Sequence, residues 1–239
     1  LLSEDCRLHY RRQITLLRLL SKYKMALKLY YDLMSQPSRA LYILLKSIKC
    51  DFESKYVDLR QGEHYSDEFT AINRMQRVPV INHNGFILTE SVAILKYLSR
   101  ENIIPEALYP KESKKQARVE EFLEWQHTGL RLHCAMYFRV KYMDPILFGR
   151  TPQERTIAAY ESRMEAALTD FDTKWLGRGT EYVAGDVPTV ADLFAACELE
   201  QPRKSISTIS VSTVAGLNIC SLPSSLVGPS LVCAATLPW

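Results

Sequence analysis

The chain reads as a small α/β domain built on a mixed four-stranded sheet, followed by an all-α domain that is truncated at its C-terminal end. Three features predict this. An apolar run, Leu27 to Tyr31, breaks at a polar turn and gives way to helical spacing at Ala40, Leu41, Leu44, Leu45 and Ile48, so a strand feeds a helix. Asn84-Gly85, set between two short apolar runs, is hairpin chemistry, because Asn-Gly readily adopts positive φ. Beyond a proline-punctuated stretch, Ile104-Pro105 through Tyr109-Pro110, the pattern is helical throughout.

The first junction, Tyr30-Tyr31-Asp32-Leu33-Met34-Ser35-Gln36-Pro37-Ser38-Arg39-Ala40, places Ser35 where a helix begins. The first backbone N–H groups of a helix are unpaired and its dipole adds partial positive charge. Ser35 is therefore either an N-cap or one more donor to a bound anion. Residues 52–57 form a second strand, closed by the polar turn Asp58-Leu59-Arg60-Gln61-Gly62-Glu63-His64, and residues 66–72 a short helix. Arg77-Val78-Pro79-Val80-Ile81 is a strand interrupted by proline, whose missing N–H points to an edge, a bulge or a cis peptide. After the hairpin, residues 86–88 make the return strand. Strands joined by a helix lie parallel and hairpin strands antiparallel, which makes the sheet mixed. Thr89-Glu90-Ser91 opens a helix over residues 91–100, with Glu90 read as a buried glutamate that either caps the helix or grips an ammonium.

In the second domain, Val119, Phe122, Leu123, Gln126, Leu130, Cys134 and Tyr137 mark one face of a long helix that Asp144-Pro145 is expected to stop. A further helix over residues 153–176 buries Ile157, Tyr160, Met164, Leu168 and Phe171 and ends at Gly177 and Gly179. Thr189 and Asp192 have capping-box spacing ahead of the apolar run 193–199, a structural role, and Pro202 ends the pattern. The predicted boundaries are a leader at 1–24, an α/β domain at 25–103, a linker at 104–112, an incomplete helical domain at 113–202 and an aberrant tail at 203–239.

Charge is concentrated at the ends. The total is +3, yet residues 1–24 hold six Lys/Arg against Glu4 and Asp5, and Arg203 and Lys204 add two more positive charges. The body is slightly acidic with no basic run among its helices, which argues against a nucleic-acid partner. Six dispersed cysteines without C-x-x-C, and histidines without ligand spacing, predict no metal site and small buried thiols in a reducing compartment. The leader has a basic, Leu-rich segment over residues 11–20 but also Glu4-Asp5, and translation is expected to start at Met25. From Ser205 to Trp239 there is no charged residue and no sustained period, and Pro223, Pro229 and Pro238 cut any long helix, so no membrane span is expected. A lost reading frame near Lys204 is expected to account for this composition.

The order of strand, serine at a helix start, strand, Val-Pro, hairpin, Glu-Ser helix, proline linker and helical domain resembles the cytosolic glutathione transferases. Leu33-Met34-Ser35-Gln36-Pro37-Ser38-Arg39, Gly62-Glu63-His64, Arg77-Val78-Pro79, Thr89-Glu90-Ser91-Val92-Ala93 and Trp125-Gln126-His127 are similar to the theta class of insect type. The resemblance implies a thioredoxin-like, glutathione-binding N-terminal domain in a cytoplasmic homodimer. It also implies glutathione as co-substrate, electrophilic small molecules as its targets, and conjugation or dehalogenation as the reaction. Ser35 matches the serine that donates a hydrogen bond to the glutathione sulfur and stabilises its thiolate. Gln36 falls among the glutathione-binding positions; Val78 matches the residue whose backbone pairs with the cysteinyl unit, and Pro79 the family's cis-proline. Glu90 and Ser91 match the grip on the γ-glutamyl end, His64 and Arg77 positions facing the glycyl carboxylate, and Arg131 a position near the electrophile. A glutaredoxin-like exchange is disfavoured, because Ser35 cannot form a mixed disulfide. Family members continue past Pro202 with helices that help to cover the electrophile pocket. Their replacement here leaves two alternatives to an active transferase: a catalytically impaired binding or dimerisation module, or an unstable product of an aberrant transcript.

Overall fold

The computed structural model describes residues 27–203. The leader segment, the Met25 start and the tail beyond Arg203 lie outside the described residues. The first domain runs β1 (Leu27–Tyr31), α1 (Gln36–Ser47), β2 (Glu53–Tyr56), a 3-10 turn (Glu63–Tyr65), α2 (Asp67–Ile72), β3 (Val80–His83), β4 (Phe86–Thr89) and α3 (Ser91–Arg100). Strand order is β2-β1-β3-β4, with β1 parallel to β2 and β3 antiparallel to both β1 and β4. The sheet is mixed, as the sequence predicts.

Alternation along β1 sends its side chains to two cores. Leu27 and Leu29 join Ile81 and the apolar faces of α1 and α3. Tyr30 packs on the other side with Val57, Phe69, Val78 and Val80. β3 is covered on both faces, with Val80 and Ile81 fully buried; burying one such side chain contributes about 1.5–3 kcal/mol. β3 pairs with β1 on one side and β4 on the other, so of the three alternatives for the Pro79 strand the edge is excluded and the cis peptide is the one found. Val78-Pro79 is a cis peptide bond just before β3, so the proline precedes the ladder and removes no donor from it. Asn84 and Gly85 turn the β3-β4 hairpin at φ 54° and 92°, and Gly85 N donates to Asn82 Oδ1 at 2.8 Å. At the start of α2, Phe69 N donates to Ser66 Oγ at 3.1 Å. Ser66→Ala should lower stability by about 1 kcal/mol, read as an earlier denaturant midpoint with an unchanged m-value.

The second domain begins with α4 (Ser113–Gln126), capped by the Glu112 carboxylate on Lys114 N and Lys115 N at 2.9 and 3.2 Å. It continues without a break through a π turn (His127–Arg131), α5 (Leu132–Phe138), a second π turn (Arg139–Met143) and α6 (Asp144–Phe148). Asp144-Pro145 does not stop this helix. Pro145 falls in the first turn of α6, where its missing N–H costs little, and Gly149 at φ 60° ends the run instead. α7 (Glu154–Asp170) passes into a π turn (Phe171–Trp175) and a 3-10 turn (Leu176–Arg178), and Gly179 follows at φ 79°. α8 (Val190–Arg203) includes Pro202, so the helix runs one residue past the predicted stop.

α8 joins the two halves. Residues 190–199 are buried on every side, and the helix packs against α1 of the first domain and α4 and α5 of the second. At its start Asp192 accepts from Val183 N, Thr189 N and Thr189 Oγ at 2.8, 2.8 and 3.2 Å, while Ala191 N donates to Thr189 Oγ at 3.2 Å. Cys134 and Cys197 are buried and free, and burial lifts the Cys197 thiol to about 11, so it is not a thiolate at neutral pH.

Candidate functional site

The turn after β1 is built by Asp32. Its buried carboxylate accepts from Met34 N at 2.8 Å and from Leu59 N at 3.1 Å, tying this turn to the loop after β2. Ser35 N donates to Asp32 O at 3.1 Å, which delivers Ser35 to the first turn of α1. There Ser35 is extended (φ −79°, ψ 116°) and its side chain caps nothing. Ser38 Oγ donates to Ser35 Oγ at 3.0 Å, so the Ser35 hydroxyl is held as an acceptor and its own proton can be donated outward.

Ser35 opens on a cavity of about 670 Å³ between the domains. Of the residues singled out in the sequence, Ser35, Gln36, His64, Arg77 and Arg131 line it. Three of them carry polar atoms shielded from solvent with no partner among the described residues, Gln36 Nε2, His64 Nδ1 and Arg131 Nη2. Burial lowers the His64 pKa and so favours the neutral ring, while the Asp32 carboxylate opposes this. Arg60 and Arg139 also line the cavity, giving it four arginines against the single carboxylate of Asp144. The wall from the second domain sets Ala135, Phe138, Met143, Leu147 and Phe148 as an apolar patch beside Arg131 and Arg139. A ligand with an anionic part and an apolar part suits this division.

Val78, Glu90 and Ser91 do not line this cavity. Val78 is buried beside the cis-proline and Ser91 is buried at the start of α3. Glu90 corrects its sequence reading: it is exposed, and it makes no side-chain cap. Its backbone holds φ 65°, a left-handed conformation that costs a non-glycine residue about 1–2 kcal/mol. Its exposed carboxylate can meet solvent or a ligand.

Arg131 is not a surface ion pair. Its Nε donates to Glu198 Oε1 at 2.6 Å, Nη1 lies 3.2 Å from His127 Nδ1, and Nη2 is buried with no partner among the described residues. Burial and the adjacent guanidinium lower the His127 pKa, while Glu124 and Glu90 oppose them. The π turn that carries both residues depends on Gly129, where an added Cβ would come within 2.3 Å of the Trp125 indole. Gly129→Ala should displace that ring and cost about 1–2 kcal/mol, seen as a lower melting temperature and a shifted tryptophan emission maximum.

Sequence spacing alone does not single out Asp32 or Arg39. An aspartate two residues before Met34 has the local signature of an Asx turn, which would have found the first. Arg39 has no such signal, because its partners Cys197 and Gln201 lie in α8, far along the chain.

Residues 25–100 match the family model of the glutathione S-transferase N-terminal domain. The theta-1 glutathione S-transferases of Bos taurus and Homo sapiens are 42% and 40% identical over 178 residues, 74% of this chain and 74% of each relative. Among solved structures, the apo form of human glutathione-S-transferase T1-1 superposes with a TM-score of 0.80 and 36% identity, covering 88% of this chain and 87% of that chain. Human glutathione transferase theta-2, in complex with glutathione and an unknown ligand, also gives 0.80, with 34% identity over 88% of this chain and 86% of that one.

Proposed function

Since the chain belongs to the glutathione S-transferase family, in its theta class, we propose that it activates glutathione as a thiolate and transfers it to electrophilic small molecules. The sulfur forms a bond to the electrophilic carbon while the carbon–leaving group bond breaks, or the thiolate takes a proton from the neighbouring carbon as halide leaves and a carbon–carbon double bond forms; the proton of the activated thiol goes to solvent. The thioredoxin-like first domain supplies the glutathione site and the helical domain the electrophile wall, with the division at residues 104–112.

The observation that carries this reading is the Ser35 hydroxyl, which makes no cap and accepts from Ser38, so that its own proton is available to donate. A donor at this point favours sulfur as thiolate over thiol, and the N-terminus of α1 favours the same charge. The unmet Gln36 Nε2 and His64 Nδ1, with Arg77 beside them, support binding of glutathione polar groups and its glycyl carboxylate. Val78 would pair with the cysteinyl backbone, and Ser91 and the exposed Glu90 would hold the γ-glutamyl end. We place the protein in the cytoplasm as a homodimer; Phe86 and Ile87 on edge strand β4 expose large apolar surface, which favours a second copy there. Among the described residues no helix is long and apolar enough to cross a membrane, and no group of His, Cys, Asp or Glu is placed to hold a metal.

A glutathione-binding module without turnover is the second reading, favoured by Phe148, which lines the cavity yet is 55% exposed. Incubation of the purified full chain with glutathione and an alkyl halide or epoxide separates the two. The transferase consumes thiol faster than the uncatalysed control and saturates with both substrates. Retention on immobilised glutathione with no such consumption would establish the module instead.

A further inference from the structure

Arg39 is 1% exposed and sits one helical turn after Ser35. A guanidinium so deeply buried must be tied on several sides. Its Nη1 donates to the carbonyl of Leu33 at 3.2 Å, inside the turn that presents Ser35. Its Nη2 reaches α8, donating to the carbonyl of Cys197 and to Gln201 Oε1, the latter at 3.1 Å. Gln201 itself lines the cavity. Glu198, between these two partners on α8, adds its charge to the same buried region and carries Arg131 on its other side. One side chain of the first domain therefore spans from the Ser35 turn to the helix that also positions the wall from the second domain.

We infer that Arg39 is a positioning residue for the Ser35 chemistry: it fixes the Leu33 carbonyl against α8 and so sets the distance from Ser35 Oγ to the glutathione sulfur. This rests on the Ser35 reading above. Lysine cannot replace arginine here, because an ammonium is a point donor and cannot span a turn carbonyl and two acceptors on a neighbouring helix with one planar group. Arg39→Lys keeps the positive charge, so any change it causes reports geometry rather than lost electrostatic attraction.

The thiol pKa of bound glutathione, read from ultraviolet thiolate absorbance of the full chain against pH, tests the inference. In the wild type it should fall below that of free glutathione; the free value in the wild type would overturn the Ser35 reading and the role of Arg39 with it. With the wild-type shift present, Arg39→Lys should raise the bound thiol pKa by about one unit and lower kcat about tenfold at neutral pH. A folded Arg39→Lys protein with a lower melting temperature but the wild-type thiol pKa would overturn the positioning role and leave Ser35 standing. If Arg39→Lys yields no folded protein, Gln201→Leu decides, since it removes one acceptor while keeping volume. A smaller rise in thiol pKa supports the role, and the wild-type value refutes it.

Discussion

Ser35→Ala is expected to lower the rate of glutathione conjugation about 10- to 100-fold at neutral pH while leaving the fold almost untouched. A hydrogen bond to a charged group is worth about 1.5–3 kcal/mol, and a group bonded only in the thiolate form contributes all of that to the thiol pKa. Without the Ser35 donor the pKa of bound thiol rises, so the thiolate fraction falls at pH 7. Activity should then recover as pH is raised, because hydroxide restores thiolate without help from the protein. The opposite prediction holds for stability. Had Ser35 been an ordinary helix cap, its removal would cost about 1 kcal/mol. It makes no cap hydrogen bond in the structure, so the melting temperature should change little. Activity that survives at the wild-type rate would sink the assignment of Ser35. A large loss of stability together with activity would return it to a structural role. Ser38→Ala should act more weakly in the same direction, since Ser38 only holds the Ser35 hydroxyl by one neutral hydrogen bond at 3.0 Å.

What the sequence discloses follows the range of the physics. The strand-to-helix junction at Ser35, the hairpin at Asn84-Gly85 and the burial of Val119 through Tyr137 come from local preference and periodicity, and all appear where the pattern puts them. Pro145 misleads because a proline is a stop signal only in a regular helix. The π turn at Arg139–Met143 shifts the hydrogen-bond pattern and lets the proline begin a new segment. Glu90 misleads in another way. Its sequence position is right for a cap, but it stands exposed at positive φ between β4 and α3, and its side chain caps nothing. Residues whose role lies in long-range contact are the least legible. Glu198 sits inside an apolar helical run and reads as a flaw in it, until the structure supplies the two arginines between which it is buried. The capping pair Thr189 and Asp192 was legible as a spacing, whereas the extra bond from Val183 N to Asp192 was not.

Arg131→Leu should destabilise the protein by about 3–5 kcal/mol at neutral pH, and the penalty should shrink as pH falls. Glu198 is fully buried and Arg131 is its hydrogen-bonded partner, at 2.6 Å. Burial already holds the Glu198 carboxyl above its ordinary 4.5, with Arg131 and then Arg39 pulling it back. Losing Arg131 lets the folded-state pKa climb further. Between 4.5 and that higher value the folded protein keeps a proton that the unfolded chain has released, so stability falls as pH rises through the window. Below the window both states are protonated and this contribution vanishes. His127 acts in the same sense. Its pKa is held below 6.5 by burial and by Arg131, so acidification penalises the wild type; relieving the Arg131 part narrows the gap further at low pH. Thermal melts of both proteins from about pH 4 to about pH 8 measure the difference directly. A difference that stays constant over that range would mean that the pair is not the source of the loss. Adding Glu198→Leu to Arg131→Leu should then restore most of the neutral-pH stability, because two apolar groups replace one stranded charge. It should not restore conjugation of electrophiles that depend on the cationic face of the cavity, since Arg131 supplies part of that face whether or not Glu198 is present.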